Sequence, residues 1–300
     1  MAESPNHQQT RLPLANLIIA GVNRSATTSL FTYLSEHPQI CPSTIKETNY
    51  FLPVLMGGAL EPIVTYAEYF KHYTNQKYRM EASPRYMFGG ARIAETIYRC
   101  LGPVGIIFVL RDPVTRMVSY FHQRKRSGEL PDTMSIDEYA QRGLEELSAI
   151  LAVNNGKPID VYRESIFARG LAQGFYVDYL EEWYRVFPHS IHISFFEDVS
   201  RNPKSVVEEV CRRLGLDTLV YESIEFTQEN RTVKHKNVKR WIRDAYLRVN
   251  EERSKDTPLS QAVRAELERA YACRNQKLRE MLCQRDYRNL PAWLTRSAED

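Results

Sequence analysis

Residues 16–37 read NLIIAGVNRSATTSLFTYLSEH, and the fold is decided there. The run NLIIAGV (16–22) is apolar almost throughout and closes at Gly21, the pattern of a strand buried on both faces. A short polar loop follows. From Thr28 to His37, Leu30, Phe31 and Leu34 recur at helical spacing, and Pro38 ends the helix. A strand that turns through a few polar residues into a helix brings unpaired N–H groups and a fractional positive charge to the turn, a geometry suited to an anion. The loop itself reads GVNRSATT from Gly21 to Thr28. Laid on the phosphate-binding pattern G-x-x-x-x-G-K-[ST], Gly21 and Thr28 match, but Ala26 replaces the second glycine and Thr27 the lysine. That lysine serves the β- and γ-phosphates of nucleoside triphosphates, so its loss argues against ATP or GTP hydrolysis. A cation stands earlier, at Arg24, whose planar guanidinium can grip two anionic oxygens at once.

Working outward, the clearest further strand is VGIIFVL (104–110), reached through Gly102-Pro103. Arg111-Asp112-Pro113 follows it, with Asp112 suited to cap a helix and Pro113 to begin it. Arg111 thus falls at the carboxyl end of a central strand, where open α/β sheets bind ligands. Helical spacing puts Thr115 and Ser119 on one face with Arg111 at its mouth, and a guanidinium beside a hydroxyl suits a second phosphate.

Between and beyond these motifs, strands are expected at 77–82 and 190–196. Helices are expected at 64–73, 90–100, 136–152, 170–187, 203–215, 238–250 and 259–284, with 42–62 as loop. Strands alternating with helices imply an α/β fold, a central parallel sheet flanked by helices, with a helical C-terminal extension. No linker divides the chain. The expected organisation is a loose N-terminal tail over 1–15, one domain over 16–290 and a C-terminal tail over 291–300.

Composition narrows the class. Of 300 residues, 43% are hydrophobic, as in ordinary globular proteins, and 40 basic against 37 acidic residues leave a charge of +3. That is too little for general attraction to nucleic acid or membrane. It is also local: Arg231–Arg243 holds six basic residues and no acid, so the remainder is slightly acidic. No apolar run approaches the length of a membrane span, and the first residues lack the apolar core of a signal peptide. Five scattered cysteines without a C-x-x-C pair exclude zinc ribbons and thioredoxin-like motifs and suit reduced thiols, so a cytoplasmic location is expected. No His/Cys/Asp cluster has metal-ligand spacing, so no metal is expected.

The two motifs, in this order, resemble those of the sulfotransferases that use 3′-phosphoadenosine 5′-phosphosulfate (PAPS), which have a P-loop-like architecture. Further stretches extend the likeness to about 16–286. STIKETNYF (43–51) is similar to the Lys-Glu-x-x-[FY]-F segment of heparan-sulfate-type members, and MEASPRY (80–86) to their Glu-x-Ser-Pro-x-Tyr segment. Their second half is matched by Tyr176, Leu180, Trp183, Phe187, Phe196-Glu197-Asp198, Asn202-Pro203 and Leu214-Gly215-Leu216. Asn275, Leu278, Leu282 and Asp286 resemble the ending of bacterial members. The resemblance implies that Arg24, Ser25, Ala26, Thr27, Thr28 and Ser29 hold the 5′-phosphosulfate and that Arg111 and Ser119 hold the 3′-phosphate. It implies that Tyr176 touches the nucleotide and that Arg231 and Lys234 lie in a later donor-binding loop. The chain also departs from the heparan-sulfate pattern: Arg24 stands where a lysine is usual, Ala26 where a glycine is usual, and the later Lys-Gly-[RW] loop is not literally present.

Sulfuryl transfer then needs stabilisation of the sulfuryl and bridging oxygens, for which Arg24, Lys46 and the loop amides are candidates. It also needs a base for the acceptor's proton, for which Glu47, beside Lys46, is the candidate. His122 is an alternative base, and Glu81 and Ser83 are expected to border the acceptor pocket. Most aromatics of EPIVTYAEYFKHYTNQKY are expected in the core. The expected activity is sulfuryl transfer from PAPS, leaving the 3′,5′-bisphosphate PAP, to a hydroxyl or amine of a small natural product or carbohydrate. The alternatives are a P-loop-type small-molecule kinase and a non-catalytic nucleotide-binding module.

Overall fold

The computed structural model describes residues 12–154, 157–224, 226 and 258–295. The helix expected at 238–250 and the basic segment Arg231–Arg243 lie outside the described residues. Five strands form one parallel sheet: β1 Leu17–Gly21, β2 Ile40–Pro42, β3 Tyr78–Ala82, β4 Gly105–Leu110 and β5 Ile191–Phe195, in the order β2-β3-β1-β4-β5. Leu17 lies opposite Met80 of β3 and Gly105 of β4, and Leu110 opposite Phe195 of β5.

Parallel strands need crossovers, and helices supply them. Helix α1 (Thr27–Ser35) leads from β1 towards β2. Helix α2 (Ile63–Ala67) lies between β2 and β3, and α3 (Gly90–Leu101) joins β3 to β4. Four helices separate β4 from β5: α4 (Pro113–Arg126), α5 (Ile136–Val153), α6 (Ile166–Ala172) and α7 (Tyr176–Val186). Helices α8 (Phe196–Arg201) and α9 (Pro203–Leu214) follow β5, and a long helix spans Gln261–Cys283. A last helical turn, Ala292–Thr295, carries the buried Leu294.

Both sheet faces are covered, which is why the strands read as continuous apolar runs. Ile18, Ala20, Ile106, Phe108 and Leu110 face a large core with side chains from α3, α4, α5, α7 and the Gln261–Cys283 helix. Leu17, Ile19, Met80, Ala82, Ile107 and Val109 face a smaller one with Leu30 and Leu34 of α1 and Val206, Val207 and Val210 of α9. From β1 the chain moves to one side of the sheet, and from β4 to the other. These neighbours therefore flank a switch point, the place where such sheets bind ligands beyond their carboxyl ends.

Two local expectations change. β2 falls at the margin of a stretch expected to be loop; it has three residues, pairs among the described residues with β3 alone and ends in a proline, so its sequence shows no strand period. The single helix expected at 170–187 is two, α6 and α7, broken around Gly174. A side chain at Gly174 would come within 2.8 Å of Pro113 Cβ and 2.7 Å of Tyr271 Cε1, so the backbone there lies close against two other elements.

Candidate active site

The loop after β1 is shaped by its neighbours. Register with β4 shifts between Ile19 and Gly21, re-aiming the chain as the strand ends. At Gly21 a Cβ would sit 2.9 Å from Met87 Cβ and from Phe108 Cδ1, so only glycine passes there. Arg24 and Ala26 take positive φ values of 73° and 58°, turning the loop sharply into α1. Ala26 is the cap residue and contributes no side-chain hydrogen bond. The first-turn N–H groups of α1 are therefore not satisfied by their own cap, as an anion site requires. Ser25 is fully buried and its Oγ has no hydrogen-bond partner, and Asn23 Oδ1 is likewise buried and unpartnered. Unpaired buried polar atoms are costly, and the oxygen of a bound anion would satisfy such a hydroxyl.

The second motif meets the first. Arg24 Nε donates to Ser119 Oγ at 3.0 Å, and Arg111 Nη1 donates to the Arg24 carbonyl at 2.9 Å. Arg111 is held from several sides. Its Nε donates to Thr115 Oγ1 at 3.1 Å, its guanidinium lies 4.0 Å from the centre of the Phe196 ring, and the Tyr176 hydroxyl donates to its carbonyl at 2.8 Å. Asp112 caps α4 through Thr115 N–H at 2.6 Å, with Pro113 first in the helix as expected, and Asp112 N–H donates to Glu197 Oε1 at 3.0 Å. Burial pulls the Arg111 guanidinium below its ordinary pKa, against the opposing pull of Tyr176, Glu197 and Asp112. An arginine remains protonated under these conditions, so the site keeps a partly desolvated cation, which an anion stabilises more strongly than it would an exposed one.

The Lys46–Glu47 segment lies at the same edge of the sheet. Glu47 N–H donates to Ala82 O at 2.8 Å, and Ser83 N–H donates to Ile19 O at 3.0 Å, fixing the segment beyond the ends of β3 and β1. Glu47 has φ 63° and pairs with Lys46 Nζ at 2.7 Å, its side chain still 47% exposed. A pair this open to water adds little to stability but keeps a carboxylate and an ammonium together at the surface.

Beneath it, Glu81 and Ser83 are fully buried, so they do not border an acceptor pocket as expected. The Glu81 carboxyl accepts a short hydrogen bond from Thr48 Oγ1 and one from Ser83 Oγ at 3.4 Å. Burial pushes it up to about 7, opposed by hydrogen bonds from surrounding hydroxyls.

Several further placements follow. Tyr176 is fully buried, and its hydroxyl bonds to the Arg111 carbonyl, on the β4 side of the site. His122 lies in α4 beyond Ser119 with its ring edge-on to Phe121, centroids 5.3 Å apart. Tyr66 and Phe70 pack in the core. Arg231 and Lys234 lie outside the described residues. Thr115, Phe196 and Thr48 join the site without having been given a role in it; Thr115 was signalled by its helical spacing from Arg111 and Ser119, and Phe196 and Thr48 only by lying in family-like stretches. Among the described residues no group of three or more His, Cys, Asp or Glu could hold a metal ion, and no helix is long and apolar enough to cross a membrane.

The same architecture occurs in a solved bacterial protein, a sulfotransferase from Alicyclobacillus acidocaldarius. It superposes with a TM-score of 0.66 over 93% of this chain and 98% of the other, at 21% identity. The fold is therefore the P-loop-like sulfotransferase fold. The profile of the sulfotransferase domain family matches residues 14–281, and the chain belongs to that family. It is 28% identical, over 75% of its length, to the membrane-associated sulfotransferase kil1 of Dictyostelium discoideum. It is 23% identical, over 69% of its length, to a bifunctional heparan sulfate N-deacetylase/N-sulfotransferase of Drosophila melanogaster. The matches span 60% and 20% of those two proteins.

Proposed function

We propose that the protein is a PAPS-dependent sulfotransferase acting on a hydroxyl or amine of a small molecule or carbohydrate, with the sulfotransferase unit contained in residues 16–290. The observation that carries this reading is the join between the two motifs: Arg24 reaches Ser119 while Arg111 holds the Arg24 carbonyl. Two guanidinium groups, the orphaned Ser25 hydroxyl and the open first turn of α1 form one anion-binding constellation. It suits a donor with phosphate groups at two ends better than a triphosphate, because Thr27 replaces the Walker lysine.

In this reading Arg111 and Ser119 hold the 3′-phosphate, and Ser25 and the Thr27–Ser29 amides hold the 5′-phosphosulfate. Tyr176 and Thr115 brace Arg111. PAPS, when bound, supplies the sulfuryl group; the acceptor oxygen or nitrogen bonds to sulfur as the sulfur–oxygen bond to the 5′-phosphate breaks, with the electron pair leaving on PAP. Arg24 and Lys46 stabilise the oxygens where charge develops, and Glu47 takes the acceptor's proton. The heparan sulfate and natural-product classes of acceptor are distinguished by loops rather than by the donor frame, so the acceptor is to be found by screening.

The test has three arms. PAP should raise the melting temperature without magnesium while ATP and GTP do not; selectivity for ATP would refute the donor assignment. Arg24→Ala and Arg111→Ala should lose that shift. Glu47→Gln should keep it but slow transfer from labelled PAPS to the acceptor found by screening by about 10²–10⁴-fold. Full activity in Glu47→Gln would remove Glu47 from the reaction.

A further inference from the structure

We propose that Glu81 is a positioning residue: from inside the fold, its carboxylate sets the conformation of the Glu47–Phe51 loop through a one-directional relay of hydrogen bonds. The proposal rests on the reading of Glu47 as the base, and its first test does not depend on activity.

The direction of the relay follows from its two ends. At one end, Asn49 N–H donates to Ser83 Oγ at 3.1 Å, so the Ser83 hydroxyl proton is free to point onward to Glu81 Oε2, 3.4 Å away. At the other, Phe51 N–H donates to Tyr86 Oη at 3.3 Å. The Tyr86 hydroxyl lies 3.4 Å from Thr48 Oγ1, which also receives Tyr50 N–H at 3.4 Å, and Thr48 in turn donates to Glu81 Oε2. Backbone N–H groups can only donate. The hydroxyls that receive them therefore turn their own protons inward, and both arms end on a single carboxyl oxygen. Three consecutive backbone positions, Asn49 to Phe51, are held in this way by the hydroxyls of Ser83, Thr48 and Tyr86.

Such a terminus must accept. A carboxylate or an amide oxygen can do so; an alkyl group cannot, and its introduction would leave Thr48 and Ser83 with buried protons and no acceptor. The hydroxyl of Tyr66 also bears on the carboxyl and favours its ionised form. The titratable groups facing Glu81 are Tyr66 from α2 and Tyr86 from the turn after β3, with Tyr50 next to Tyr66. Burial leaves the carboxyl close to half-ionised near pH 7, and the ionised form is the stronger acceptor, so the loop is held more firmly above neutrality than below it.

Hydrogen–deuterium exchange of the 47–51 amides in the full chain tests this directly. Glu81→Ala should speed exchange there by at least about tenfold, whereas Glu81→Gln should keep it near the wild-type rate at pH 8. In wild type, protection should increase between pH 6 and pH 8, and in Glu81→Gln it should be flat after correction for intrinsic exchange. The second readout is PAP release from PAPS with water as acceptor. Glu81→Ala should lose about 10–100-fold in kcat while its melting shift with PAP is retained, since a base displaced by about an ångström loses that much. Glu81→Gln should recover most of it.

Unchanged 47–51 exchange in Glu81→Ala overturns the proposal. So does equal damage in Glu81→Gln and Glu81→Ala, and so does loss of PAP binding in step with kcat, which would mean general disruption of the fold. If Glu47→Gln proves fully active while Glu81→Ala still frees the loop, the base assignment fails and the positioning role stands.

Discussion

Replacing Glu81 by glutamine makes a prediction about stability that can be worked from the burial of two groups. Glu81 is fully buried and its carboxyl is raised from 4.5 to about 7, principally by desolvation. In the unfolded chain it ionises near its ordinary value. Between pH 4.5 and 7 the folded protein therefore holds a proton that the unfolded chain has released. The stability Glu81 contributes is fully present below pH 4.5 and is lost as pH rises through 7, a change of about 3 kcal/mol. His192 of β5 acts in the opposite sense. It is buried beside Ser194, 3.0 Å from Nε2 to Oγ, and desolvation lowers it from 6.5 to about 3, so stability rises from pH 3 to 6.5 as the unfolded chain ceases to bind its extra proton. The two slopes oppose one another between pH 4.5 and 6.5, and a wild-type pH profile would hide both. The difference between wild type and Glu81→Gln removes His192 from the comparison. The glutamine introduced does not titrate, and its amide oxygen can still receive Thr48 and Ser83, so the variant should gain about 3 kcal/mol on wild type between pH 4.5 and 8. Paired urea denaturation curves at four pH values, with equal m-values, measure this. Parallel curves across that range would show that the carboxyl is not held neutral by burial, and the desolvation argument would fall.

Two further substitutions probe the donor half. Ser119→Ala removes the acceptor of the Arg24 Nε bond and a proposed phosphate ligand together. It should weaken PAP binding by roughly tenfold or more, and calorimetry on the Arg24→Ala and Ser119→Ala single and double variants should show a coupling of about 1–3 kcal/mol. Strict additivity would mean that the 3.0 Å contact contributes nothing to binding. Ala26→Gly relieves a left-handed alanine at φ 58° and should raise the melting temperature, the relief of about 1 kcal/mol being partly offset by the freedom of glycine in the unfolded chain. A fall in melting temperature would show that the alanine methyl, packed at the edge of the smaller core, is worth more than the strain.

What could be read in the sequence was local. β1, β4 and the start of α4 are each specified within about eight residues, by an apolar run or by the Asp112-Pro113 cap, and all lie where expected. What could not be read depends on contacts far along the chain. The break between α6 and α7 is imposed at Gly174 by Pro113 and Tyr271, from other elements. The three residues of β2 are strand only because β3 lies beside them. The same division runs through the site. Helical spacing placed Thr115 and Ser119 near Arg111, but the Arg24–Ser119 bond spans 95 positions and no periodicity encodes it. Glu81 looked like a residue at a strand end facing a pocket. Alternation along β3 instead turns it into the larger core, where Thr48, 33 positions earlier, supplies its hydrogen bond.

The site is therefore assembled from two frames that meet at Ser83. The proposed donor half is fastened to β1 and β4, where Arg24, Arg111 and Ser119 bond to one another and Thr115 holds Arg111. The half carrying Lys46 and Glu47 hangs from the end of β3 and from Glu81. Ser83 connects them. Its N–H donates to Ile19 of β1, while its hydroxyl links Asn49 to Glu81. Because the halves are anchored on different strands, substitutions in the first should act on donor affinity and those in the second on rate. A change at Ser83 that keeps the backbone, such as Ser83→Ala, should fall with the second group. Its N–H would still hold β1 in place, and only the relay from Asn49 to the carboxylate would be cut.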